Sequence, residues 1–123
     1  MAKILIVDDE PIMRDMLTQM LLQDHHEVLM AENGEQGCAI YREEQPELII
    51  TDIVMPEKNG LEMLMDLKKE FPELRVIAIS GGGGITGAFD YLPVAKLVGA
   101  DQILKKPFGI KEIRDAIATT LTA

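Results

Sequence analysis

The chain has 123 residues, 21 of them acidic against 12 basic, for a formal net charge of −9. That length holds one domain around a single core, and that charge argues against nucleic-acid binding by this chain alone. A lone cysteine, Cys38, excludes an internal disulfide and points to a reducing compartment. Met1-Ala2-Lys3 and four apolar residues are too short for a signal peptide. No apolar run nears the roughly 20 residues of a membrane span. The expected protein is soluble and cytoplasmic. Hydrophobic content is 47% with only 4% aromatic, so the core is expected to be aliphatic, with the eight methionines filling gaps in it.

Short apolar runs alternate with amphipathic ones. Lys3–Val7 reads as a strand buried on both faces. Pro11 opens a helix, where its fixed φ suits the first turn, and Ile12, Met16 and Met20 with Met13, Leu17 and Leu21 form its apolar stripe through Leu22. Glu27–Ala31 is a second strand. Asn33-Gly34 signals a turn, followed by a helix from Glu35 to about Glu43 that Pro46 ends. Glu47–Asp52 is the third strand. Leu61, Leu64, Leu67 or Lys68, and Phe71 mark a helix stopped by Pro72. Leu74–Ser80 is the fourth strand. A short helix from near Asp90 or Tyr91 runs to about Val98, with Gly99 as its C-cap. Asp101–Lys105 is the fifth strand, and Ile110, Ile113, Ile117 and Leu121 stripe the last helix. Five βα repeats with short connections predict an α/β fold with a parallel sheet and right-handed crossovers. The domain is expected to fill residues 1–123, with nothing left over for an output domain.

The chemistry is expected at the carboxyl ends of the strands, where open parallel sheets place it. Asp8 and Asp9 follow the first strand, Asp52 ends the third, Ser80 ends the fourth, and Lys106-Pro107 follows the fifth. A single Asp after a strand is ordinarily a turn residue or helix cap. Two strands ending in Asp, one with a pair, are different. Their like charges repel unless a cation neutralises them, and Mg²⁺ is suited to carboxylate oxygens. Met55-Pro56-Glu57-Lys58-Asn59-Gly60 is a turn that would curl the backbone after Asp52 and bring a main-chain carbonyl toward the metal. Lys106, held extended before proline, reaches toward the acids, whereas Lys105 reads as a solvated neighbour. Ser80 reads equally as a turn serine or as a donor to a phosphoryl oxygen. His25 and His26 read as surface residues near a helix C-terminus, and Cys38 as a small filler.

Together Val7-Asp8-Asp9-Glu10, Thr51-Asp52-Ile53-Val54-Met55-Pro56 with Gly60, Ile79-Ser80-Gly81 and Lys106-Pro107-Phe108 give a chain that resembles the receiver domain of bacterial two-component response regulators. It is similar to the single-domain, chemotaxis-type members, over essentially its whole length. The resemblance implies a five-stranded sheet in order 2-1-3-4-5 with helices on both faces. It implies that Asp52 is the phosphoacceptor, supplied by a sensor histidine kinase or phosphotransfer protein. Asp9, Asp52 and the Val54 main-chain carbonyl would bind Mg²⁺, with Asp8 acting through water. Lys106 would pair with the phosphoryl group and Ser80 would hydrogen-bond it. A monomer acting on a further protein partner is expected.

Three departures from the family pattern stand out. Ile103 replaces the usual aromatic three positions before the lysine, so the surface switch is expected to run by another route. Gly81-Gly82-Gly83-Gly84 with Gly87 lengthens the loop after Ser80, which reads as a flexible loop or an anion-binding nest, and is expected to order on phosphorylation. Val54 and Gly82 cannot orient an attacking water, which predicts slow self-dephosphorylation. The competing readings are an aspartyl-nucleophile phosphohydrolase of the haloacid-dehalogenase kind, a flavin module and a partner-docking pseudo-receiver. The first would carry Asp-x-Asp where this chain has Asp8-Asp9-Glu10. The second would want hydroxyls in place of those acids, and the third would lack the complete set of acids, serine and lysine.

Overall fold

The computed structural model describes residues 2–53, 60–80, 92–97 and 99–122. Strands β1 (Lys3–Val7), β2 (Glu27–Ala31), β3 (Leu48–Asp52), β4 (Val76–Ser80) and β5 (Gln102–Lys105) alternate with helices α1 (Pro11–Gln23), α2 (Gly34–Glu44), α3 (Gly60–Glu70), α4 (Leu92–Leu97) and α5 (Ile110–Thr122). All pairings are parallel and the sheet order is β2-β1-β3-β4-β5. The predicted α/β fold and strand order are therefore both observed, with strand starts shifted by at most two residues.

Strand alternation divides the core in two. Ile4, Ile6, Leu48, Ile50, Ile77 and Ile79 face α1 and α5, meeting Leu17, Met20, Leu21, Ile113 and Ile117. Leu5, Val7, Ile49, Ile53, Val76 and Ala78 face the opposite way, against Cys38 and Tyr41 of α2, Met63, Leu64 and Leu67 of α3, and Ala95 of α4. Every residue of β3 and β4 is buried, as strands covered by helices on both faces must be. Truncating one of these aliphatic side chains, such as Leu17 or Leu64, costs about 2–5 kcal/mol by the transfer and cavity rule.

Local chemistry explains the helix ends. Pro11 occupies the first turn of α1. Asn33 is the N-cap of α2, its Oδ1 accepting the Gln36 N–H at 2.9 Å, while Gln36 Oε1 accepts the Glu32 N–H. Gly99 follows α4 with φ +118, a left-handed conformation that favours glycine, and Ala100 N–H closes back on Ala95 O at 3.0 Å.

The α1 stripe is narrower than its periodicity suggests. Leu17, Met20 and Leu21 are buried, but Ile12 is 86% and Leu22 56% exposed. Of the methionines, Met20 and Met63 fill core space, whereas Met16, Met30 and Met65 stand exposed. Cys38 is buried, as expected. His25 is exposed with φ +65. His26 departs from the surface role, being half-buried with its Nδ1 accepting the Ala2 N–H at 3.0 Å. Among the described residues no helix is long and apolar enough to cross a membrane.

Candidate functional site

The sheet order reverses between β1 and β3, and the crevice beyond their carboxyl ends is the natural site in such a fold. The ladder fixes what stands there. Val7 pairs with Thr51 in register, so Asp8 and Asp52 leave neighbouring strands side by side. Ser80 pairs with Lys105, and Lys106 N–H donates to Ser80 O at 2.8 Å. Asp8 N–H donates to Ala31 O and Ile53 N–H to Ile79 O, both at 3.1 Å. The Thr51 hydroxyl donates to the Asp52 carbonyl at 2.7 Å. The Lys106–Pro107 peptide is cis.

Side chains from three strand ends converge. Lys106 Nζ lies 2.8 Å from Glu10 Oε1, 3.1 Å from Asp52 Oδ2 and 3.5 Å from Asp8 Oδ2. Carboxylate oxygens of Asp8, Glu10 and Asp52 all lie within 4.8 Å of one another. Asp8 Oδ1 accepts the Glu10 N–H at 2.9 Å, and the Arg14 guanidinium donates to the Asp8 carbonyl at 2.6 Å. Asp8 Oδ2, by contrast, is buried with no hydrogen-bond partner among the described residues. Burial pushes the Asp8 carboxyl up, to about 6, against the pull of the Glu10 N–H and the Lys106 ammonium; the charges of Asp52 and Glu10 add to the push. Burial alone would lower the Lys106 pKa, but Glu10, Asp52 and Asp8 outweigh it and hold the ammonium above its usual value.

These groups fit a hard divalent cation. Three carboxylates face one ammonium, leaving an excess of negative charge. The donor set is all oxygen, as Mg²⁺ requires, and a buried carboxylate oxygen left without a hydrogen bond calls for a partner.

Of the residues expected at the site, Asp8, Asp52, Ser80 and Lys106 gather at adjoining strand ends, and Ser80 is buried there. Asp9 is exposed and its carboxylate stands outside the group of three acids. Val54, the remainder of the turn through Asn59, and the Gly81–Gly87 segment lie outside the described residues. Ile103, at the expected position of the aromatic, is 38% exposed on β5. Glu10 is the member that sequence reasoning left without a role. A cleft of about 950 Å³ beside Tyr41, Phe71 and Arg75 lies at the amino ends of β3 and β4, away from these acids.

Comparison with known proteins decides the family. The profile of the response regulator receiver domain matches residues 4–118. The chain belongs to the response regulator receiver domain family. It is 36% identical over 120 residues to the chemotaxis protein CheY of Bacillus subtilis, covering 97% of each chain. It is 35% identical over 130 residues to the transcriptional regulator NtrC of Azospirillum brasilense, covering 99% of this chain and 24% of that one. It thus spans nearly all of CheY but only 24% to 47% of the length of transcriptional regulators among its relatives. Among solved structures, the response regulator TrrA of Thermotoga maritima in complex with Mg²⁺–BeF superposes with a TM-score of 0.84 at 28% identity, covering 98% of this chain and all of that one. As a receiver, the domain has a phosphoacceptor signalling role in two-component systems; receiver domains bind Mg²⁺ at an acidic pocket, and this chain carries the acid group Asp8, Glu10 and Asp52.

Proposed function

We propose that Asp52 is the phosphoacceptor of a Mg²⁺-dependent phosphorelay step. The observation that carries this is the convergence of Asp52, the orphaned buried oxygen of Asp8 and the Lys106 ammonium at adjoining strand ends. A carboxylate oxygen of Asp52 attacks the phosphorus of a phosphohistidine on a sensor histidine kinase or phosphotransfer protein. The O–P bond forms as the P–N bond breaks, and the bonding pair leaves with the imidazole. Phosphoryl transfer of this kind depends on positioning and charge neutralisation. Mg²⁺, when bound, neutralises charge on the phosphoryl oxygens.

Asp9, Asp52 and the Val54 carbonyl are the proposed ligands, with Asp8 acting through water. Lys106 then pairs with the new phosphoryl oxygens, and the Ser80 hydroxyl donates to one of them. The added charge biases the surrounding loops between two arrangements, and the signal leaves by binding a further protein or by onward phosphoryl transfer. The domain works in the cytoplasm as a monomer that binds neither nucleic acid nor membrane and has no substrate to turn over beyond its own Asp52. Mass spectrometry after incubation with acetyl phosphate and Mg²⁺ tests this. One added phosphoryl group is expected on the wild type and none on Asp52→Asn, and an equally modified variant would refute it.

A further inference from the structure

Glu10 occupies the N-cap position of α1, yet its side chain caps nothing. Its backbone is tied to the buried acid through the N–H donated to Asp8 Oδ1 at 2.9 Å, and that anchor sets its carboxylate at the rim of the site. There Glu10 Oε1 makes the shortest of the Lys106 contacts, 2.8 Å against 3.1 Å for Asp52 and 3.5 Å for Asp8. The partners differ in depth. The Glu10 side chain is 61% exposed, whereas those of Asp52 and Asp8 are 8% and 2% exposed. Lys106 is thus shared between one outer carboxylate and two inner ones.

Two cations at contact distance in a partly buried site repel strongly. For Asp8 and Asp52 to serve a divalent cation, the Lys106 ammonium has to withdraw from them, and Glu10 is the partner already placed outside. We propose that Glu10 is a positioning residue for Lys106. It holds the ammonium at the rim while the inner carboxylates serve the cation, and releases it to the phosphoryl group formed on Asp52. This rests on the phosphoacceptor reading above.

Calorimetric titration of Mg²⁺ into the wild type, Glu10→Gln, Lys106→Gln and the double variant tests it. Glu10→Gln alone is expected to weaken Mg²⁺ binding about three- to five-fold, the worth of one rim ion pair, because Lys106 without its outer partner stays on Asp52 and Asp8. The Mg²⁺ concentration giving half-maximal reaction with acetyl phosphate shifts by the same factor. In the Lys106→Gln background the same substitution is expected to change affinity by less, about twofold at most, since only the direct pull of a solvent-exposed carboxylate on the cation is lost. Equal losses in both backgrounds would overturn the proposal and make Glu10 a metal ligand or a simple charge. No loss in either background would overturn it as well. A wild type that takes up no Mg²⁺ would instead defeat the reading of the site, and this inference with it.

Discussion

Gly60 lies directly against the backbone of Asp52. A Cβ built at Gly60 would overlap the Asp52 carbonyl oxygen and sit 2.7 Å from Ile53 Cα. The first residue of α3 is therefore packed onto the strand end that carries Asp52, the proposed acceptor, and only glycine fits without moving one of them. Gly60→Ala is expected to destabilise the fold by about 1–3 kcal/mol, the cost of overpacking a tight core position. It is also expected to slow reaction with acetyl phosphate, because the relief available is a shift of Asp52. Urea unfolding and the rate of phosphoryl uptake measure the two effects.

Asp8 gives the metal-free protein a pH dependence of unusual sign for an acid. Its folded pKa, about 6, lies above the unfolded value of 3.8, so the folded state holds the proton more tightly. Its contribution to stability is greatest below the unfolded value and is lost as pH rises through about 6. His26, whose pKa burial lowers, works the other way and costs stability as pH falls below its ordinary value of 6.5. Comparison with Asp8→Asn separates the two. This variant is expected to raise the urea midpoint of the metal-free protein most at about pH 7.5, about half as much at about pH 5, and little below the unfolded value of 3.8. Saturating Mg²⁺ should erase or reverse the advantage, because the wild-type carboxylate then gains its partner.

Lys106 offsets three carboxylates. Lys106→Gln removes the ammonium that Asp8, Glu10 and Asp52 share, and is expected to cost the metal-free protein about 2–4 kcal/mol at neutral pH. Thermal unfolding checks this. The same variant should accept a phosphoryl group more slowly at saturating Mg²⁺, since the developing charge on the phosphoryl oxygens loses its ammonium.

The lifetime of the phosphorylated form follows from sequence alone. Val54 and Gly82 carry no side chain able to orient a water, so phospho-Asp52 is expected to decay slowly. A half-life of seconds, followed by loss of the added mass after removal of acetyl phosphate, would contradict this.

The inner strands β1, β3 and β4 were legible because strands buried on both faces write themselves as largely apolar runs, each ended or followed by a polar residue, Asp8, Asp52 and Ser80. Asp8, Asp52, Ser80 and Lys106 were legible for the same reason, because parallel order carries strand ends to one edge. What periodicity could not give was depth. Ile12 and Leu22 repeat with the buried residues of α1, but the sheet covers only the width of Leu17, Met20 and Leu21. Met16, Met30 and Met65 show the same limit. Glu10 escaped because its partner is 96 residues away, and a surface glutamate beside two aspartates has no signature of its own until Lys106 is placed above it. The half-buried His26 escaped likewise, since its bond to Ala2 depends on the adjoining starts of β1 and β2.

The division of the core into two aliphatic layers has a mechanical consequence. The strands are a stiff plate clamped from above and below, and the reactive groups ride on its rim, Asp52 and Ser80 at the last rungs of the ladder and Asp8 and Lys106 just beyond them. A change of charge at the rim therefore does little to the plate. On the proposed role of Asp52, a message sent from it would be carried by the edge of the molecule while its interior keeps still.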